Sequence, residues 1–254
     1  MPTQAVPPRV PTLSPRLDAI VRRIPRGARL ADVGTDHALV PIAALARGRA
    51  ASAIGIDRSA HALARARDNA RRAGVAVDLR LGDGLAPLTP HEADTLVVAG
   101  IGGCRTIALL ERADLARLGI QSLLLAPHRD LVPLRRHVLD HLGPIEDEIL
   151  VADGRRWYVV LLARLERPPG CTTTDAVLGP ILRRRTDEAY AAYVHGRLAA
   201  LQDALNRAPP DRPDPRRKTL AALTREWARV SRPQARAPRP LGSDEAESQE
   251  PTGG

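Results

Sequence analysis

Apolar positions along the chain alternate between helical and strand spacing. Leu13, Leu17, Ile20, Val21 and Ile24 recur at helical spacing, with Ser14 placed as the cap and Pro15 at the first helical position. Pro25 and Gly27 end that helix, and 29–33 reads as a buried strand that stops at Gly34. From there the two patterns take turns. Helices are predicted over 41–47, 60–73, 105–118 and 131–142, and strands over 53–56, 77–81, 95–99 and 121–125. Ser59 caps the helix over 60–73 and Gly74 stops it. The next two strands, 146–151 and 157–165, are separated only by the turn Ala152-Asp153-Gly154. With no helix between them they must run antiparallel.

These elements predict an α/β fold: a Rossmann-like, mostly parallel sheet closed by an antiparallel hairpin. Dinucleotide-binding domains also begin with βαβ units but continue in parallel, so the hairpin favours the methyltransferase version of this sheet. Beyond it the pattern predicts a linker over 167–176, rich in Pro, Gly and Thr. A helical hairpin domain follows over 177–230, its first helix running unbroken over 176–207 and its second over 216–230, with a Pro-rich break at 209–215. Residues 1–12 and 231–254 read as disordered, leaving 13–166 as the catalytic domain.

Composition narrows this picture. Phe is absent and aromatic residues make up 2%, so Leu, Val, Ile and Ala must build the core. Of the 38 basic residues only Lys218 is a lysine, and the net charge is +9, which favours a polyanionic partner. The charge is concentrated: residues 167–240 hold 15 basic and 7 acidic side chains, with dense runs at Arg183-Arg184-Arg185 and Arg216-Arg217-Lys218. Such runs grip phosphates without reading sequence, although a solvated helix face has the same composition. Cys104 and Cys171 are too few and too distant for a disulfide framework or a zinc site, so no metal is expected. No apolar run approaches a membrane span, and residues 1–10 hold no hydrophobic signal core, which predicts a cytoplasmic protein without membrane contact.

Ligands of open parallel sheets bind at the carboxyl ends of the strands. The first strand ends in Ala31-Asp32-Val33-Gly34-Thr35-Asp36-His37-Ala38. Gly34 permits a tight turn, and Asp32 is placed to hold a cationic amino group. The G-x-G-x-x-G spacing of pyrophosphate-binding loops is missing, which argues against NAD. Two acids here suit the ammonium and sulfonium of S-adenosylmethionine. Asp57, ending the second strand, is a candidate for the ribose hydroxyls, and Asp83, between Gly82 and Gly84, for the adenine amine. The fourth strand ends in Gly100-Ile101-Gly102-Gly103, bare backbone where donor and acceptor meet. Each signal is weak alone; their order along the rim gives them weight.

The stretches Leu13-Ser14-Pro15-Arg16-Leu17, Leu30 to Ala38, Arg80 to Leu85, Ala99 to Gly103, Glu148-Ile149-Leu150 and Leu178 to Leu182 resemble the bacterial tRNA adenine-22 N1-methyltransferase family, called TrmK. The resemblance covers about residues 13–207. It implies a class I S-adenosylmethionine-dependent enzyme with a coiled-coil-like C-terminal domain, acting on tRNA. A monomer or weak dimer is expected, although the sequence leaves the oligomeric state open. It departs from the family at Ala126-Pro127-His128, where Gln-Pro-Asn is usual, and at Asp57, where Glu is common. The first departure leaves the identity of the base open. On this reading Asp36 and His37 are the candidate catalytic pair. Asp32, Gly34, Asp57, Asp83, Gly84 and Gly100 are the candidate donor site. Gly102, Gly103, His128 and the six cations of the two basic runs are the candidate acceptor contacts. The base must leave its stack to react. Of the adjacent strand residues Trp157 and Tyr158, at most one can meet it, and core packing suits either. Rival readings stay open: methylation of another nucleic acid or a small molecule, or a non-catalytic tRNA-binding relative. A NAD-dependent oxidoreductase is more remote.

Overall fold

The computed structural model describes residues 8–207, 214 and 216–231. Most of the expected N-terminal tail, of the Pro-rich break and of the C-terminal tail lies outside those residues. Residues 8–12 carry no helix or strand, yet the Arg9 amide donates to the Ala73 carbonyl at 2.8 Å.

Seven strands form one sheet: β1 (Ala28–Val33), β2 (Ala50–Asp57), β3 (Asp78–Leu81), β4 (Thr95–Ala99), β5 (Ser122–Ala126), β6 (Ile145–Asp153) and β7 (Arg156–Arg164). Their order is β3-β2-β1-β4-β5-β7-β6. The first five are parallel, and β7 runs antiparallel to both of its neighbours. The expected hairpin is present, but its second strand lies inside it. Val159, Val160, Leu161 and Ala163 of β7 are buried, whereas β6 is mostly half-exposed. The strand with apolar residues on both faces takes the inner place, and the one with Glu146, Asp147 and Asp153 takes the edge.

Helices α1 (Pro15–Arg23) and α2 (Leu39–Ala46) cover one face, packing Ile20, Val21, Ile24, Val40 and Ala43 on Leu30, Val97, Leu124 and Val160. Ser14 caps α1 as the sequence predicts. Helix α3 (Ala60–Ala73) follows β2 and ends at Gly74, whose φ of 70° suits a residue without Cβ. The opposite face carries α4 (Gly103–Glu111), α5 (Leu115–Leu118), α6 (Leu131–His137), α7 (Thr173–Leu178), α8 (Glu188–Asn206) and α9 (Arg216–Val230).

Three expectations need correction. The helix over 105–118 is two, because Asp114 caps a new turn by accepting from the Arg117 amide at 2.9 Å. The helix over 131–142 ends in a π turn from Val138 to Leu142. The unbroken helix over 176–207 does not exist: Gly179, at a φ of 89°, and Pro180 separate α7 from α8. In addition, the end of the expected linker is the first turn of α7, capped by Thr172.

Helices α8 and α9 form the expected hairpin. Tyr190 donates to Glu226 at 2.9 Å, and Arg229 reaches the carbonyls of Arg183 and Arg185. The hairpin shares its core with the sheet, since Tyr190, Tyr193, Val194, Ala222 and Leu223 belong to the same apolar cluster as Leu123, Leu125 and Leu161. Arg135 of α6 and Glu148 of β6, both fully buried, pair at 2.8 Å beneath α7. Arg135 also donates to the Val177 carbonyl at 3.2 Å, and the second Glu148 oxygen accepts from the Ile181 and Leu182 amides at 2.9 and 3.0 Å.

Candidate active site

In-register parallel pairing brings the ends of β1, β2, β3, β4 and β5 to one rim. Val33 faces Ile56 and Val98, Asp57 faces Leu81, and Ala99 faces Ala126. The loops leaving this rim hold most of the residues singled out from the sequence.

Asp32 is 5% exposed and has no cationic partner among the described residues. Its carboxylate accepts a hydrogen bond from the Thr35 hydroxyl, at 2.7 Å. Burial pushes the carboxyl up to about 7, the Thr35 bond opposes that rise, and the Asp57 charge adds to it. Past it, Gly34, Asp36 and Ala38 all take positive φ, so the chain turns back sharply over the rim. Asp57 fixes this loop, with one oxygen accepting from the Asp36 amide at 3.1 Å and the other from the Ser59 amide at 2.9 Å. The Asp36 carboxylate is half-exposed, 3.3 Å from Arg65 and 3.5 Å from the His37 imidazole. The candidate catalytic pair is therefore assembled, and its carboxylate is tied to α3 on the β2 side of the rim. Asp83 is exposed, with Arg112 at 3.8 Å. It lies one residue past Gly82, whose amide bonds the Asp57 carbonyl.

The β4 and β5 loops are laced together. Gly100 donates to the Ala126 carbonyl, His128 to that of Ile101, and Gly103 to that of Arg129. Gly103 has no room for a side chain: a Cβ there would stand 2.2 Å from the Asp130 carbonyl oxygen. At Gly102 a Cβ would meet only the flexible Arg129 and Asp130 side chains, at 3.0 and 3.2 Å. Gly103→Ala therefore forces the two loops apart and destabilises the protein by about 1–3 kcal/mol, while Gly102→Ala costs less than 1 kcal/mol, on the order of a helix-start adjustment. Thermal melting of the two variants checks this, and equal losses would contradict the packing.

The Pro127-His128 turn lies beside Tyr158 of β7, the ring centroids 6.1 Å apart. Burial holds the His128 pKa below its usual value, and Arg16, Arg156 and Arg129 reinforce the effect. The Arg16 guanidinium lies over the Tyr158 ring, 5.0 Å from its centroid. Of the adjacent aromatic residues, Tyr158 thus faces the rim and Trp157 is exposed. Arg16 was visible in the sequence only as part of a helix start; no local pattern reveals a contact made across 142 positions with Tyr158.

A profile of the methyltransferase domain matches residues 13–161, more than half of the chain. The chain belongs to this family. The tRNA (adenine(22)-N(1))-methyltransferase of Bacillus subtilis (strain 168) is 31% identical over 153 residues, covering 59% of this methyltransferase and 64% of the relative. The match thus spans less than two thirds of the relative's length. A protein of the NADB-Rossmann superfamily from Streptococcus agalactiae superposes with a TM-score of 0.78 at 25% identity, covering 85% of this chain and 98% of that one. TrmK of M. capricolum, in complex with S-adenosyl-homocysteine, superposes at 0.70 with 20% identity, covering 84% and 94%.

Of the two basic runs of this methyltransferase, Arg216-Arg217-Lys218 starts α9, whereas Arg183-Arg184-Arg185 forms a short 3-10 turn before α8 and is not part of the helix expected there. Arg183 pairs with Asp175, Arg185 with Asp187 and Arg216 with Asp214. Arg184, Arg217 and Lys218 are exposed and make no ion pair among the described residues. No helix among the described residues is long and apolar enough to cross a membrane.

Proposed function

We propose that this methyltransferase transfers a methyl group from S-adenosylmethionine to N1 of an adenine in tRNA, at position 22 by its likeness to the Bacillus relative, as a cytoplasmic enzyme. The observation that carries the reading is Asp32: a buried carboxyl with only a hydroxyl for company, at the turn where β1 gives way to bare backbone. Such a group calls for a cation, and the donor's ammonium supplies one. Asp57 has lone pairs left after its two amide bonds, enough for ribose hydroxyls, and the exposed Asp83 suits the adenine amine. These residues fit the donor, and the S-adenosyl-homocysteine held by the M. capricolum protein supports the same ligand.

When bound, the donor supplies an electrophilic methyl group, and the protein's own work is alignment and charge. Gly100 leaves the start of the β4 loop without a side chain where the acceptor ring approaches, while the buried Gly102 and Gly103, two of the expected acceptor contacts, hold that loop against the β5 loop instead. Tyr158 and His128 flank that space, and His128, kept neutral near pH 7, offers an imidazole nitrogen to the base edge. Adenine N1 carries a lone pair, so no strong base is needed to expose it. Asp36, oriented by His37, offsets the positive charge that appears on the methylated ring. Arg184, in the turn before α8, and Arg217 and Lys218, at the start of α9, hold tRNA phosphates at a distance from the chemistry.

Calorimetry with S-adenosyl-homocysteine and with NAD, followed by transfer of labelled methyl groups to a tRNA transcript, tests this. The expected result is binding of the first ligand alone and one N1-methyladenosine per transcript, lost when position 22 is not adenine. A different labelled nucleotide would redirect the reading to another base, a result for which His128, in place of a side-chain amide, gives a specific reason. Binding without any transfer would support a non-catalytic tRNA-binding role.

A further inference from the structure

Two guanidinium nitrogens of Arg16, Nε and Nη1, are buried and make no hydrogen bond. Buried donors rarely stay unsatisfied in a folded protein, and a cation without an acceptor marks a place where one arrives from outside. Arg16 is the second residue of α1, and three features fix its guanidinium at the rim. Its backbone is held in the first turn of α1, its guanidinium lies over the Tyr158 ring, and Nη1 would stand 3.8 Å from a Cβ on Gly100. The group thus sits beside the bare start of the β4 loop, on the β4–β5–β7 side of the rim, with β1 between it and the Asp57 side. Arg156 and Arg129 also bear electrostatically on His128 here. Neither Arg16 nor Arg156 has a carboxylate within ion-pair distance among the described residues, and Arg129 has only Asp130, at 3.6 Å. Three cations gather around one imidazole with almost no compensating charge.

We propose that Arg16, backed by Tyr158 and assisted by Arg156 and Arg129, holds a phosphate of the acceptor strand next to the base that enters the site. The inference rests on the tRNA reading given above and adds to it a binding residue that the two basic runs do not supply. A phosphate fits because its oxygens accept from an otherwise unpartnered guanidinium and it brings the negative charge that the cluster lacks. The aromatic ring beneath fixes the plane of the guanidinium, so little rotamer freedom is lost when the phosphate arrives. Anchoring the backbone within reach of Gly100 sets how far the everted base enters, so Arg16 aligns the acceptor as well as holding it.

The test compares Arg16→Ala, Arg16→Lys and the unaltered protein in three measurements: S-adenosyl-homocysteine affinity by calorimetry, tRNA-transcript affinity as a function of salt, and steady-state methyl transfer. Thermal melting confirms that the variants are folded. For Arg16→Ala the expected result is tRNA binding about tenfold weaker, with the slope of log Kd against log salt shallower by about one. Donor affinity stays within twofold. Arg16→Lys keeps the charge and the salt slope but not the planar group stacked on Tyr158, so it restores binding while kcat stays low. A loss of donor affinity with an unchanged tRNA slope would overturn the proposal and assign the guanidinium to the donor carboxylate. No change in either affinity would reduce Arg16 to packing on Tyr158. If the unaltered protein binds S-adenosyl-homocysteine but no tRNA, the tRNA reading itself fails, and this result is distinct from both of the others.

Discussion

Asp32→Asn is expected to weaken S-adenosyl-homocysteine binding by about 100-fold, the usual scale for removing one member of a buried charged pair. The substitution keeps the shape and an acceptor for the Thr35 hydroxyl and removes only the charge. A pH dependence follows from the same group. Without ligand the carboxyl titrates at about 7, because burial raises it, so near pH 6 the free protein holds a proton there. Binding of the cationic ligand expels that proton. Affinity therefore rises about tenfold per pH unit up to neutrality and levels off above it. Calorimetry at pH 6 in two buffers of different ionisation heat should show release of close to one proton, and none for the Asn variant. The effect on stability has the opposite sense. A carboxyl whose folded pKa lies above its unfolded value favours the fold most when protonated, and this contribution is lost as pH rises through 7. The ligand-free Asn variant should thus melt higher than the unaltered protein at pH 8, with the gap closing towards pH 4. Unchanged binding in the Asn variant would remove the ammonium from this loop.

The second large effect lies far from the rim. Glu148→Ala strands the fully buried Arg135 and deprives the Ile181 and Leu182 amides of their acceptor. Breaking such a pair from one side costs about 3–5 kcal/mol, enough to lower the melting temperature by about 10 °C in a domain of this size. Glu148→Gln keeps an acceptor for the amides and should lose less. Replacing both partners by apolar residues removes the charge problem but not the two orphaned amides, so recovery is incomplete. Gly179→Ala reaches the same pair by another route: its φ of 89° disfavours a side chain, and a Cβ would stand 2.3 Å from a Glu148 oxygen. Circular dichroism melts of the four variants check the order. A loss below about 1 kcal/mol for Glu148→Ala would mean that water reaches the pair.

Much of this architecture was legible in the chain. The helices over 60–73 and 216–230 and the strand over 95–99 appear with the bounds the sequence predicts, because caps, stops and apolar spacing agree there. What failed had competing local signals. Asp114 reads as one polar residue of an amphipathic helix, yet it is also an N-cap, and the cap prevailed. Gly179-Pro180 carried a breaker signal that the apolar run on either side concealed. Strand order inside the hairpin depended on which strand is buried on both faces, a comparison of whole strands that the alternation within each one does not make. At the rim, Asp32, Asp57 and the glycines were found by position, since strand ends are local. Arg16 and the Arg135–Glu148 pair were not, because their partners come from distant segments and burial gives no mark on a charged letter.

The inner place of β7 has a bearing on synthesis. Until residues 156–164 leave the ribosome, the nascent sheet presents β5, with Leu123, Leu124 and Leu125, as a bare apolar edge. Nearly two thirds of the polypeptide is then already made, and β6 has emerged without the neighbour it needs to dock. An open edge of that kind recruits foreign strands, so pauses in translation before β7 is complete are the moment at which this protein is most exposed to aggregation.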